Sequence, residues 1–117
     1  MEAKPKALKF LDIAVLVILT INTIWIIGFV PPDALMGNVQ KIFYYHVSAG
    51  WVGMIGFFTA VIAGIAYLRT KNSTWDLIGT AGVEVGLVYT IINIVSGSIW
   101  ARATWGTWWD WDPRLVT

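Results

Sequence analysis

The sequence predicts an all-α integral membrane protein with three transmembrane helices and a tryptophan-rich segment at the outer face. Three observations carry this. Of 117 residues, 57% are apolar and 13% are charged, against roughly a quarter charged in an average soluble domain. The charges are segregated: the 27 residues Ile42–Leu68 contain no Lys, Arg, Asp or Glu, and about 20 apolar residues suffice to cross a hydrocarbon core about 30 Å thick. Trp is also concentrated, with five of the eight lying in the last 18 positions.

The first apolar run, Phe10–Val30, is 21 residues long and is stopped by Pro31-Pro32, since proline lacks the amide donor and clashes with the preceding turn. Its basic start (Lys4, Lys6, Lys9) would suit a signal peptide. The run, however, exceeds a 7–15-residue signal core, and Val30-Pro31-Pro32 is a poor small-residue cleavage site, so a retained helix is expected. The second run is Ile42–Leu68. The third, Leu77–Trp100, contains one acid, Glu84. Helix is preferred over strand because an open sheet edge has no hydrogen-bond partner in lipid. Short connections at 31–41 and 69–76 make neighbours antiparallel, and 101–117 completes a single membrane domain spanning 1–117. Gly56, Ala60 and Gly64, with Gly82 and Gly86, recur at four-residue spacing and predict a close-packed helix pair.

Five Lys and Arg flank the ends on the N-terminal side and three on the other. This places the N-terminus in the cytoplasm and the Trp-rich tail outside. The sequon Asn72-Ser73-Thr74 then faces the cytosol and carries no meaning. Net charge of +1 and no cysteine argue against a nucleic-acid partner and a disulfide scaffold. No Ser-His-Asp grouping, Gly-rich phosphate loop or paired carboxylates at one membrane face support an enzyme.

His46, the only histidine, sits near the outer mouth of the second helix. Its imidazole suits iron ligation through one nitrogen while a partner holds the other. An interfacial histidine bonded to Tyr or Ser is the plainer alternative. Glu84 is expected to face the bundle and find a partner or a proton, for either a ligand path or packing. The tail, Trp100 to Arg114, exceeds what an aromatic belt at the interface needs. On a helix, Trp105, Trp108, Trp109 and Asp112 share one face, an indole platform for a large planar ligand. Gly106 and Pro113 allow a bend at either end, and Arg102 and Arg114 are placed to clamp carboxylates. An axial nitrogen, an aromatic shelf and guanidiniums are what haem requires. A quinone site and a pure anchor remain open on these features.

The string WGTWWDWDPRLVT, Trp105–Thr117, resembles the WWD signature of membrane proteins that handle haem in cytochrome c maturation. With KIFYYHVSAGW at Lys41–Trp51, the chain most resembles the haem exporter protein C (CcmC) family along essentially its whole length. That resemblance implies haem b as a transient ligand at the outer face of the bacterial inner membrane. It implies delivery to a periplasmic haem chaperone beside ABC transporter subunits, without covalent catalysis. By match to the motif, Trp105, Gly106, Trp108, Trp109, Trp111 and Asp112 form the haem shelf, and His46 is the first of two external axial histidines. Family members are six-helix proteins of about twice this length, with the second histidine after the WWD segment. The chain is therefore expected to be the N-terminal half of such a bundle, as a fragment or one half of a split protein. The haem-ligase branch of the superfamily tends to carry an acid two residues after the Trp-Asp-Pro proline. Leu115 stands there instead, which favours the exporter-linked branch over the ligase and over a small non-haem assembly subunit.

Overall fold

The computed structural model describes residues 3–116, so Thr117, the last residue of the WWD string, lies outside the described residues. Three long helices follow in order: α1 Lys6–Gly28, α2 Lys41–Thr70 and α3 Ser73–Trp105, with a final turn α4 at Pro113–Val116. Each of the first three is long and apolar enough to cross a membrane. The chain is thus a multi-pass, all-α membrane protein.

The ends differ from the hydropathy runs because capping chemistry, not apolarity, sets them. α2 ends with Lys71 in the left-handed conformation, its amide bonded to Tyr67 O at 2.7 Å. Asn72 then caps α3, its side chain accepting from Thr74 N at 2.9 Å; the sequon asparagine is a helix cap. At the far end α3 runs past Trp100 through Ala101-Arg102-Ala103, good helix formers, until Gly106 (φ 78°) ends it. Thirty-three residues make a helix of about 50 Å, longer than a hydrocarbon core of about 30 Å. The α1–α2 connection folds on Asp33. Its carboxylate accepts from the Leu35 and Met36 amides at 2.9 Å each, and its backbone pairs with Gly37.

α2 and α3 form a close antiparallel pair. No residue of α1 is buried against them, although Lys41 Nζ reaches back to Ile27 O at 2.9 Å. The seam is built on glycine. A Cβ on Gly56 would lie 2.8 Å from Gly82 O and Gly86 N, and one on Gly82 would lie 2.7 Å from Gly56 O. From this contact the register propagates step for step. Gly53 faces Thr90, Gly50 faces Asn93, Gly97 faces His46, and Gly79 faces Ala63. The expected four-residue repeat fails at Gly64, which meets nothing within 4 Å; buried Ala63 takes its place. At 3.6 residues per turn, seven residues from Gly56 drift by about 20° and eight by about 80°, so only Ala63 still faces the partner.

Gly82→Ala is expected to destabilise the pair by about 1–3 kcal/mol, since the added methyl meets backbone that has no room to yield. Gly64→Ala should be neutral or stabilise by up to about 1 kcal/mol through helix propensity. Unfolding of both variants in mixed micelles measures the contrast.

Candidate functional site

The site lies where the seam meets the tail. His46, five residues into α2, points at α3. Its Nδ1 lies 2.9 Å from Asn93 O and 3.2 Å from Ser96 Oγ. Asn93 Nδ2 donates to His46 O at 2.7 Å, tying the two backbones together. Nε2 has no hydrogen-bond partner among the described residues and is not a sealed, orphaned atom. One ring nitrogen is therefore held and the other is open.

Beyond α3 the chain turns back. Gly106 leaves the helix in the left-handed region, and Arg102 Nη1 donates to Gly106 O. The stretch Thr107–Trp111 is irregular, with Thr107 Oγ1 donating to Trp109 O at 2.9 Å. Asp112 then starts α4. Its carboxylate accepts from Arg114 N at 2.9 Å and takes the Arg114 guanidinium in a fork, at 3.0 Å to Nε and 2.9 Å to Nη2. The same guanidinium lies over the Trp105 ring, 5.6 Å from its centroid. This ion pair and cation–π contact pin the returning tail to the last turn of α3.

The result is one cleft of about 220 Å³ lined by His46, Asn93, Gly97, Ser98 and Ala101 from the helices and by Trp108, Trp109, Arg114 and Leu115 from the tail. Small-molecule pockets usually hold about 300–1,000 Å³. A cleft of this size has room for one edge of a large ligand and could not enclose it. His46 and Asn93 also border a groove running along the seam past Gly50, Trp51 and Thr90.

The continuous indole platform is corrected by this geometry. Trp105 ends α3, whereas Trp108 and Trp109 lie in irregular chain beyond Gly106, so the helical spacing does not place them on one face. Trp105 instead lines a separate cleft with Trp100, Leu35, Met36 and Val39. Trp109 and Trp111 meet edge to face at 87°, as Trp100 and Trp105 do at 78°. Trp111 is 78% exposed and lines neither cleft. Arg102 gives Nη1 to Gly106 O and Arg114 gives Nε and Nη2 to Asp112; Arg114 lines the cleft and keeps its Nη1 edge, whereas Arg102 does not line it. Glu84 is exposed and bonded to nothing among the described residues. Because Gly82 and Gly86 face α2, position 84, about 200° round from Gly82, points away from the pair instead of into it.

Sequence reasoning missed Asn93, Ser96, Gly97 and Leu115. Asn93 carried a signal: a carboxamide in an apolar run is expensive in lipid and marks an interior or functional face. Gly97 and Leu115 had none before the register was known.

The sequence profile of the family described as heme exporter protein C matches residues 1–117. The chain is similar to curated proteins of that name. The relative in Escherichia coli strain K12 is 37% identical over 110 residues, 94% of this chain and 45% of the relative. That of Rhodobacter capsulatus is 29% identical over 117 residues, 100% of this chain and 48% of the relative. That of Paracoccus denitrificans is 34% identical over 91 residues, 77% and 38%. The chain spans less than half the length of these relatives.

The tail clamp has a defined pH window. The guanidinium and amide of Arg114 lower the Asp112 carboxyl from 3.8 to about 2. A carboxylate depressed on folding adds stability above its ordinary value and loses it as pH falls towards the depressed one. The Arg114 Nε–H resonance should therefore hold constant from about pH 5 to 9 and change only below about pH 4. Asp112→Asn should show the released position at every pH.

Proposed function

The chain belongs to the haem exporter protein C family, and from that membership we propose that it binds haem b as a transient ligand for delivery during cytochrome c assembly. One juxtaposition supports the reading: the sole histidine, with an open ring nitrogen, shares a cleft with two indoles and a guanidinium. The donor set fits haem. Among the described residues no three His, Cys, Asp or Glu side chains gather, so a bare ion would find one protein ligand here. A single imidazole suits a metal already held by a macrocycle. Bound haem supplies an iron that accepts one nitrogen lone pair.

The residues divide by task. His46 donates Nε2 to iron. Trp108 and Trp109 give apolar contact to the ring, with Trp111 packed edge-on behind Trp109. Arg114 offers its free edge to a propionate. Trp105, Gly106, Asp112 and Arg102 hold the tail that carries these groups. Handover to a periplasmic haem chaperone beside ABC transporter subunits, at the outer face of the bacterial inner membrane, extends the same reading. The excess of basic residues on the N-terminal side supports an N-terminus in the cytoplasm.

Trp108→Ala or Trp109→Ala should weaken haem retention about tenfold to a hundredfold. Loss of a stacked aromatic costs roughly 1–3 kcal/mol, and 1.4 kcal/mol is about tenfold. Phe at either position should keep most of the affinity, and Trp111→Ala should matter less. His46→Ala should alter the spectrum of whatever haem remains, and added imidazole should partly restore it in His46→Gly. Unchanged uptake and spectrum in all of these would leave a membrane anchor with an aromatic belt.

Topology is tested separately. Cysteines introduced at Asp33 and Asp110 should react with an impermeant thiol reagent from the periplasm, and one at Asn72 should not. The reverse pattern would put the cleft in the cytosol.

A further inference from the structure

The two atoms nearest His46 Nδ1 are both oxygens. Asn93 O, at 2.9 Å, has no proton to give. Ser96 Oγ, at 3.2 Å, lies 2.7 Å from Ile92 O and 3.1 Å from Asn93 O. Its single hydrogen therefore goes to a carbonyl and its lone pairs face the ring. The Asn93 carboxamide nitrogen is the farthest of the three, 3.3 Å from Nδ1, with one of its two hydrogens given to His46 O at 2.7 Å. The shortest of these contacts, Nδ1 to the Asn93 carbonyl, is a hydrogen bond only if Nδ1 carries the proton. A neutral imidazole has one N–H, so Nε2 keeps a lone pair.

The ring reaches this position because α3 has no side chain at 97. A Cβ there would stand 2.8 Å from His46 Cε1 and 3.3 Å from Nδ1. We propose that Gly97, with Ser96 and the Asn93 carbonyl, forms a cradle on α3 that fixes His46 in the Nδ1–H tautomer and so makes Nε2 the metal-binding atom. Gly97 is a positioning residue: it touches the imidazole and acts on a ligand only through it. The tautomer stands on this chain alone; its use for haem rests on the function proposed above. A hydrogen bond from the distal N–H to a carbonyl raises a ligating imidazole's basicity, and loss of such support typically costs 10–100-fold in metal affinity.

The test is nitrogen NMR of the haem-free chain with labelled histidine, at about pH 8.5, above the ordinary imidazole titration near 6.5. The sole histidine gives one unambiguous pair of signals. The expected pattern is protonated Nδ1 and bare Nε2, the reverse of the form free imidazole side chains favour in water. Gly97→Ala should move the signals towards that aqueous form, and Ser96→Ala should move them less. A wild-type spectrum with the proton on Nε2 overturns the cradle by itself, even if the alanine variant fails to fold. In folded Gly97→Ala, an unmoved pattern overturns it as well. With haem added, Gly97→Ala should weaken ligation by the histidine about 10–100-fold. If His46→Ala leaves the haem spectrum unchanged while the NMR pattern is as expected, the haem reading falls and the cradle stands.

Discussion

Two glycines meeting backbone to backbone set the geometry of everything else. Lipid tails are as apolar as leucine, so two helices gain nothing from hiding apolar surface from each other and are held by close packing and polar contacts. Gly56 and Gly82 let α2 and α3 touch through their main chains. That contact fixes spacing and register together. Ten residues up α2 from it lies His46, about 15 Å away, and the antiparallel register delivers Gly97, Asn93 and Ser96 to meet it. A shift of one residue would turn His46 against a side chain instead of a bare helix.

The seam repeats one device. At four places one helix projects a bulky or polar side chain where the other has a glycine: Asn93 on Gly50, Thr90 on Gly53, Phe57 against Gly86, His46 on Gly97. Polar groups that would be expensive in lipid thus find partners inside the pair. Two groups on α3 stand apart: Glu84, on the face turned away from α2, and the buried Trp100 indole nitrogen, which has no hydrogen-bond partner among the described residues. The tail depends on the same pair by another route. Gly106 reverses the chain at the end of α3, and Arg114, held by Asp112 and resting on Trp105, brings Trp108, Trp109 and Leu115 back over the end of the helices. The clamp is exposed and made of charge and aromatic contact, whereas the seam is buried and made of shape.

The three spans were legible because apolar length is a strong signal, and the pairing of the second and third because small residues announce themselves. The detail of the seam was not: a four-residue repeat and a four-three repeat are hard to separate over two turns, and only the longer path from Gly56 to Ala63 tells them apart. His46 and the tryptophans were legible as types in a sparse sequence. Their arrangement was not, because the reversal at Gly106 breaks the helical spacing on which a shared face depends. Asn93 was readable as a costly polar residue, though not as the tie to His46 across 47 residues of sequence.

The central claim is that the end of the α2–α3 pair and the returning tail act on one ligand. The most direct measurement follows the indole N–H resonances while one equivalent of paramagnetic ferric haem is added. The signals of Trp108 and Trp109 should broaden as the histidine-ligated spectrum develops, while that of Trp75, about 45 Å along α3 from its far end, stays sharp. Ligation of iron by His46 with Trp108 and Trp109 left sharp would contradict the claim and separate the histidine from the tail.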